Sequence, residues 1–352
     1  MTAQKIVRTI CYFSPEPGPK TINLLDGVAG RLQENGYLVQ TKRICTPNIK
    51  IKSLDQAFMD TDLFLSVGSL DIHTAKNQLE DFYRAKNVSF NINLTREDIQ
   101  AGHLEILFDI IKNRPSKTFN FAYVFQNPAS SPYFPSAHYA REGFAIGLQP
   151  TDLSAGCPDL SAWLDRLRQA WHEINRLLQH DRAFLGIDAS IAPLFAGQSS
   201  LIHLINRFGF SFAESVTTDI YVTMTDYLRQ YNPKPVGLGG IMFPCLEDFG
   251  LAAEYESGNF PVERNIYLAL HSGLGLDTYP FGVDEDPAHL LHIFRLLQGL
   301  AKKYGKALSA RFVSDGQAGV GDRTDFGNPY LKDVTIRPLR NASAKTTRGP
   351  YP

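Results

Sequence analysis

From one end of the chain to the other, short apolar runs rich in β-branched and aromatic residues alternate with stretches of helical periodicity. KIVRTICYF opens the series and is closed by the breaker SPEPGPK. TINLLDGVAGRLQENG follows with apolar residues at helical spacing and Gly36 as a stop signal. YLVQTKRICT returns to strand, with Gln40 and Lys42 read as outward, and LFLSVGS, VSFNINL, FNFAYVFQ and GFAIGLQ are further β candidates. Helical stretches lie between most of them, among them REDIQAGHLEILFDIIKNRP, where Pro115 marks the exit. The plainest helix is LSAWLDRLRQAWHEINRLLQ, whose tryptophans and leucines make one apolar stripe. The order resumes with FLGIDASIAP, a helix through SLIHLINRFG, TTDIYVTMTDYLRQY, the β run VGLGGIMFP, the helical DPAHLLHIFRLLQGLAKKYG, and ALSARFV. Repeated β-then-α order predicts an α/β fold on a largely parallel sheet, open or closed into a barrel. Several runs are nearly all apolar, as strands covered on both faces should be.

Composition narrows the function classes. With 352 residues and 43% hydrophobic content, the chain fits one large α/β domain or two medium ones. A net charge of -1 and no dense basic run argue against nucleic acid and against an anionic membrane surface. No apolar stretch approaches the ~20 residues that cross a bilayer, and MTAQKIVRTICYF reads as a first strand and not as a signal peptide. Cys11, Cys45, Cys157 and Cys245 are scattered, without CxxC or zinc-site spacing, which suits buried thiols in a reduced, cytoplasmic protein. No linker divides the chain. The expectation is a single domain over residues 1–339 and a disordered tail over 340–352, where RNASAKTTRGPYP lacks apolar anchors.

Familiar catalytic signatures are missing: there is no GxxxxGK[ST], GxSxG or HExxH, and VGLGGIMFP does not form a GxGxxG that opens a helix. What stands out is a set of carboxylates placed by the apolar runs. Asp188 ends FLGID, Glu247 and Asp248 follow IMFPCL, Asp277 follows HSGLGL, and Asp322, Arg323 and Asp325 lie in GVGDRTDF. In parallel α/β sheets the C-terminal strand ends converge on one face, where substrates bind. Acids gathered there can share protons, bind a hard cation or pair with an arginine. Each also has a bland reading: a turn cap for Asp188, a helix cap for Glu247 and Asp248, a bond within its own loop for Asp277. His203, His289 and His292 lie on helices and read as packing, whereas His73, His138 and His271 are candidates for a cleft. The irregular SSPYFPSAHY is a lid, a pocket wall or an inert packed loop.

GIDASIAP, GLGGIMFPCLEDFGLA, HSGLGLDTYP and LSARFVSDGQAGVGDRTDFGNPY, in this order, resemble the DUF711 family, whose relatives include the UPF0210 proteins. GYLVQTKRICTP, VSFNINL, NFAYVFQNPASSPYFPSAHY and GFAIGLQ extend the resemblance over essentially the whole chain before its tail. The resemblance implies a β/α barrel of roughly ten strands, similar to that of the pyruvate formate-lyase-like glycyl radical enzymes. It does not carry over the radical reaction, because FVSDGQAGVGDRTDF lacks the RVxGY-type glycine loop. Asp188, Glu247, Asp248, Asp277 and Asp322 match the family's pattern. Ser272 stands where the family usually has cysteine, and Cys245 where it usually has an aliphatic residue, so thiolate chemistry at position 272 is not expected here.

The expectation is an enzyme acting on a small polar or anionic metabolite, of lyase, isomerase or hydrolase type, by carboxylate acid/base or metal-assisted chemistry. Asp188, Glu247, Asp248 and Asp277 are its catalytic candidates; His271, Ser272, Arg311, Asp322, Arg323 and His138 its substrate-binding candidates. A divalent cation is the one cofactor considered, with no ligand set singled out; no nucleotide or glycyl radical motif is seen. The expected partner is a small molecule, with a homo-oligomer as a further expectation. The competing expectations are a non-catalytic ligand-binding or sensor protein on a barrel scaffold and a structural oligomer.

Overall fold

The structure, a computed structural model, describes residues 3–340, so the expected tail lies, apart from residue 340, outside the described residues. Ten strands form one sheet: β1 Lys5–Phe13, β2 Tyr37–Val39, β3 Lys42–Cys45, β4 Phe64–Leu70, β5 Val88–Asn93, β6 Phe121–Phe125, β7 Gly143–Leu148, β8 Phe184–Asp188, β9 Gly275–Pro280 and β10 Leu308–Val313. Their order is β8-β7-β1-β3-β4-β5-β6-β10-β9, with β2 beside the first part of β1. The fold is thus mixed α/β on a ten-stranded sheet, with helices filling most connections.

The expectation of a largely parallel sheet holds for seven of the nine strand pairings. β1, β3, β4, β5 and β6 run parallel, but β7 joins β1 and β10 joins β6 antiparallel. β8 follows β7, and β9 follows β10, in parallel. The reason lies in the link from β6 to β7. It contains no helix, only the irregular stretch around SSPYFPSAHY, and parallel strands need a crossover long enough to return the chain to its starting end. Without one, β7 starts at the end where β6 stopped and runs back. After β7 the helices Leu160–Leu178, Val262–His271 and Pro287–Tyr304 restore return paths, and the later strands are parallel again.

The β6–β7 link is packed inside the curve of the sheet. Asn91 of β5 donates its side-chain amide to the carbonyls of Pro135 (2.8 Å) and Ala137 (3.1 Å). Ala137 joins Cys11, Phe13, Cys45, Ala145 and Leu185 in a small apolar cluster that contains no helical residue. The alternate residues of β1, Ile10 and Tyr12, belong to the much larger core shared with the helices. One sheet face therefore meets the helices and the other meets this loop.

VGLGGIMFP, expected as a strand, is not one. Gly237 and Gly239 take left-handed φ of 70° and 59°, and a Cβ at Gly237 would stand 2.1 Å from the Asp188 carboxylate. The segment touches both edges of the sheet through single bridges: Ile187 to Pro235 and Ile191 to Ile241 on the β8 side, Ile241 to Gly273 and Pro244 to Asp277 on the β9 side. Strand ladders therefore leave the sheet open between β8 and β9. A second correction concerns HSGLGLD: His271 ends a helix and Gly275 begins β9, so Asp277 lies within the strand and does not follow it. Gly275 is required there, since its φ is 99° and a Cβ would meet the Ser309 carbonyl at 2.2 Å. Among the described residues no helix is long and apolar enough to cross a membrane, and all four cysteines are buried and free.

Candidate functional site

Inside the curve, beneath the SSPYFPSAHY loop, lie two adjoining chambers of about 70 Å³ each. They share the side chains of Arg8, Arg43, Phe134, Glu247 and Arg311, which form the neck between them. Arg311 comes from β10. Its Nε donates to Asp277 Oδ1 at 2.7 Å and its Nη2 donates to Glu247 Oε2. The Phe119 ring lies 5.2 Å from the guanidinium carbon. A bulge puts Asp277 beside this arginine: Ala310 pairs with Leu276 and Phe312 with Tyr279, which leaves Asp277 and Thr278 both opposite Arg311. Thr278 takes a φ of 38°, a left-handed conformation that a β-branched residue holds only at a strain on the order of 1–3 kcal/mol.

Glu247 enters from the irregular segment. A turn from Asp248 N–H to Pro244 O (3.0 Å) and a bond from Phe195 N–H to its own carbonyl (2.6 Å) hold its backbone. Its side chain is buried, and burial pushes its carboxyl above the usual range; Arg311 opposes that rise and the nearby Asp277 adds to it. Burial also pulls on Arg311, but the two carboxylates more than offset it, so the guanidinium keeps its proton. Two acids on one cation cannot both be fully compensated. Glu247 keeps its proton to higher pH than an exposed glutamate does.

Arg43, on β3, is the more unusual charge. It is 8% exposed, and its guanidinium carbon lies 5.1 Å from the centre of the Phe134 ring and 5.6 Å from that of Phe64. Its Nε donates to Thr41 Oγ1 at 3.2 Å, and no carboxylate among the described residues pairs with it. Burial, then the neighbouring Arg8, pulls its pKa down to about 10. Arg8, half-buried on β1, has a single side-chain bond, to Gln40 Oε1 at 3.3 Å. Three guanidiniums against two carboxylates leave the cavity positive. A buried guanidinium without a counter-ion is costly, and an anion entering the neck would remove that cost.

The structure therefore brings together Glu247, Asp277 and Arg311 from the candidates named by sequence, and it adds Arg8 and Arg43. The other candidates stand elsewhere. Asp188 is fully buried outside the cavity lining and accepts from Ser131 Oγ (2.8 Å), Ser190 N (3.0 Å), Ser190 Oγ (2.6 Å), Leu238 N (2.9 Å) and Gly239 N (3.3 Å). It ties together two loops that form cavity walls. Asp248 caps the helix Phe249–Glu256 through Gly250 N (2.9 Å) and Leu251 N (3.3 Å), and also accepts from Leu201 N (2.6 Å) and Ser200 Oγ (2.7 Å). Burial moves its carboxyl up to about 6.

His271 Nδ1 meets Ser272 Oγ at 2.8 Å, and Ser272 Oγ meets Thr225 Oγ1 at 3.3 Å, at the start of β9 and facing away from the neck. His138 Nδ1 lies 3.5 Å from Ser69 Oγ. Asp322 accepts from Gly319 N at 3.1 Å, and the exposed Arg323 pairs with Glu256 at 2.8 Å. None of these five lines either chamber. Among the described residues no three His, Cys, Asp or Glu side chains come together to hold a metal ion.

The two roles played by Asp248 give a direct expectation. Asp248→Ala removes the acceptor for two helix starts at once, and each such cap contributes about 0.5–2 kcal/mol. Denaturant unfolding at neutral pH should show a loss of about 1–4 kcal/mol; a loss no greater than that of an exposed alanine substitution would refute the double-cap assignment.

Arg8 and Arg43 escaped sequence reading because they sit in strands whose polar positions read as solvent-facing. Their one signal is a β-branched apolar residue beside each of them, Val7 before Arg8 in KIVRTICYF and Ile44 after Arg43 in TKRICT. A family model described as Uncharacterised ACR (DUF711) matches residues 87–332, more than half of the chain. No curated protein matches the chain.

Proposed function

The chain belongs to the DUF711 family, and we propose that it is an enzyme that binds a small anion and moves a proton on it. Arg8 and Arg43 hold the anion at the neck. Glu247 is the proton-transfer group, positioned by Arg311 with Asp277 beside it. The single observation that carries this reading is Arg43: a buried guanidinium, beside two phenyl rings and without a carboxylate partner among the described residues, in the same cavity as a carboxyl pushed above its usual range. A raised carboxyl pKa brings the acid closer to working pH, where general acid–base catalysis is most efficient. Isomerase or lyase chemistry, in which one group takes and returns a proton, suits such a site without a nucleotide. Closure of the sheet by the segment 235–248, giving a barrel of the kind the family resemblance implies, is part of the same reading. The single bridges to β8 and β9 support it.

Proton exchange tests the reading whatever the product of the reaction. Small carboxylic acids incubated with the protein in D₂O and followed by NMR should include one whose carbon-bound hydrogen is lost in its presence. Glu247→Gln should slow that exchange by about 10²–10⁴-fold with the acid still bound, and the wild-type rate should titrate on a group above the ordinary carboxylate range. An unchanged rate in Glu247→Gln would remove Glu247 from the mechanism. Binding without exchange or conversion of any acid would favour the ligand-binding protein over the enzyme.

A further inference from the structure

The two chambers differ in their walls, and that difference bears on what the anion carries. Away from the neck, the first chamber carries the aliphatic side chains of Ala192, Pro193, Leu238, Met242 and Leu274, with Tyr133, Ser136, Ser309 and Asp277 also in its wall. The second is closed by Phe64, Phe119 and Tyr330 together with Thr41, Ser89 and Asn120. An alkyl group finds aliphatic side chains in the first, whereas the second offers aromatic rings and hydroxyl and amide groups already bonded within the protein. Size sets a further limit. At about 10–15 Å³ for each water-sized position, a chamber of about 70 Å³ holds roughly five non-hydrogen atoms.

The neck selects the shape of the charged group. The rings of Phe134 and Phe64 lie beside the Arg43 guanidinium, and Nε is used on Thr41. Among the described residues the two Nη groups make no hydrogen bond, and that planar fork matches a planar carboxylate. Leu238, which helps to close the first chamber, is held by its N–H on Asp188 at 2.9 Å. The alkyl chamber is thus a fixed part of the fold.

We propose that the ligand is a short aliphatic carboxylic acid, its carboxylate at the neck on Arg8 and Arg43 and its alkyl chain in the chamber closed by Leu238, Met242 and Leu274. This rests on the anion-binding reading above and deepens it by naming the substrate class. It also places the first carbons of the chain beside Glu247 and Asp277, where a proton on carbon would be within reach of a carboxyl group.

Calorimetric titration of the full chain with acetate, propionate, butyrate, pentanoate, octanoate and inorganic phosphate tests it. Affinity should rise about fourfold for each added methylene up to butyrate or pentanoate, then fall for octanoate, which exceeds the chamber. Met242→Trp, at a half-buried position, should shift the optimum to a shorter acid; the wild-type series alone suffices if that variant does not fold. Arg43→Met should weaken every acid about thirtyfold or more. Equal affinity along the series, still lost in Arg43→Met, would overturn the alkyl chamber and leave the anion site standing. Phosphate binding tighter than butyrate, and dependent on Arg43, would overturn the carboxylate class. Binding indifferent to Arg43→Met would overturn the underlying reading itself.

Discussion

Arg43→Met should give a protein that resists denaturant better than the wild type and no longer retains a small carboxylate. The two effects have one cause. In the wild type the Arg43 guanidinium is removed from water with one hydrogen bond, to Thr41, two aromatic rings beside it and Glu247 acting on it without forming an ion pair. Desolvation of the charge is therefore largely uncompensated until a ligand arrives. Methionine fills the same space beside Phe64 and Phe134 without a charge to desolvate, so a gain on the order of 1 kcal/mol or more is expected in denaturant unfolding. Removing one partner of a buried charge pair typically costs about 2–5 kcal/mol of binding; Arg8 remains in place, so the lower part of that range applies, a weakening of thirtyfold or more. A destabilised Arg43→Met protein would mean that the arginine is a structural element of the fold, and the anion site would lose its main support.

Arg311→Met should do the opposite. Both arginines are buried on neighbouring walls of one cavity, yet Arg311 is bonded to two carboxylates. Its loss leaves Glu247 and Asp277 facing each other without a cation. Breaking a buried pair in this way costs about 3–5 kcal/mol. The pH dependence follows with a definite sign. Without the cation the folded-state affinity of the two acids for protons rises, so the folded protein binds more protons than the unfolded chain. Stability must then fall as pH rises through the raised values and recover on acidification. Denaturant unfolding of Arg311→Met at pH 7 and at pH 5 should show the larger loss at pH 7. A loss independent of pH would point to lost packing against Phe119 instead of uncompensated charge. The opposite signs expected of two buried arginines separate a charge held for structure from a charge held for a ligand.

Much of this architecture is legible in the sequence. The β-then-α alternation locates nine of the ten strands, because apolar strands and amphipathic helices write different periods. VGLGGIMFP failed for a physical reason: glycines chosen to let the backbone pass the Asp188 carboxylate look, in one dimension, like a strand that ends in a turn. The two antiparallel joins were not legible, since they depend on whether SSPYFPSAHY crosses inside the sheet or over its back.

The site was half legible. Glu247 and Asp277 declare themselves as acids next to apolar runs, and the sequence cannot separate them from Asp188 and Asp248, which are the same chemistry spent on loop and helix N–H groups. Arg8 and Arg43 remained hidden because alternation in a strand signals two faces without saying that both are enclosed. Only a sheet that curves around its own loop turns a polar strand position into a buried charge.

The most direct measurement is a crystal structure of the protein with butyrate, paired with the Arg43→Met variant under the same conditions. The account predicts a carboxylate within hydrogen-bond distance of the Arg43 and Arg8 guanidiniums, its alkyl chain toward Leu274, and no butyrate in the variant. Butyrate bound only elsewhere, or Arg43 found paired with a carboxylate of the chain itself, would contradict it.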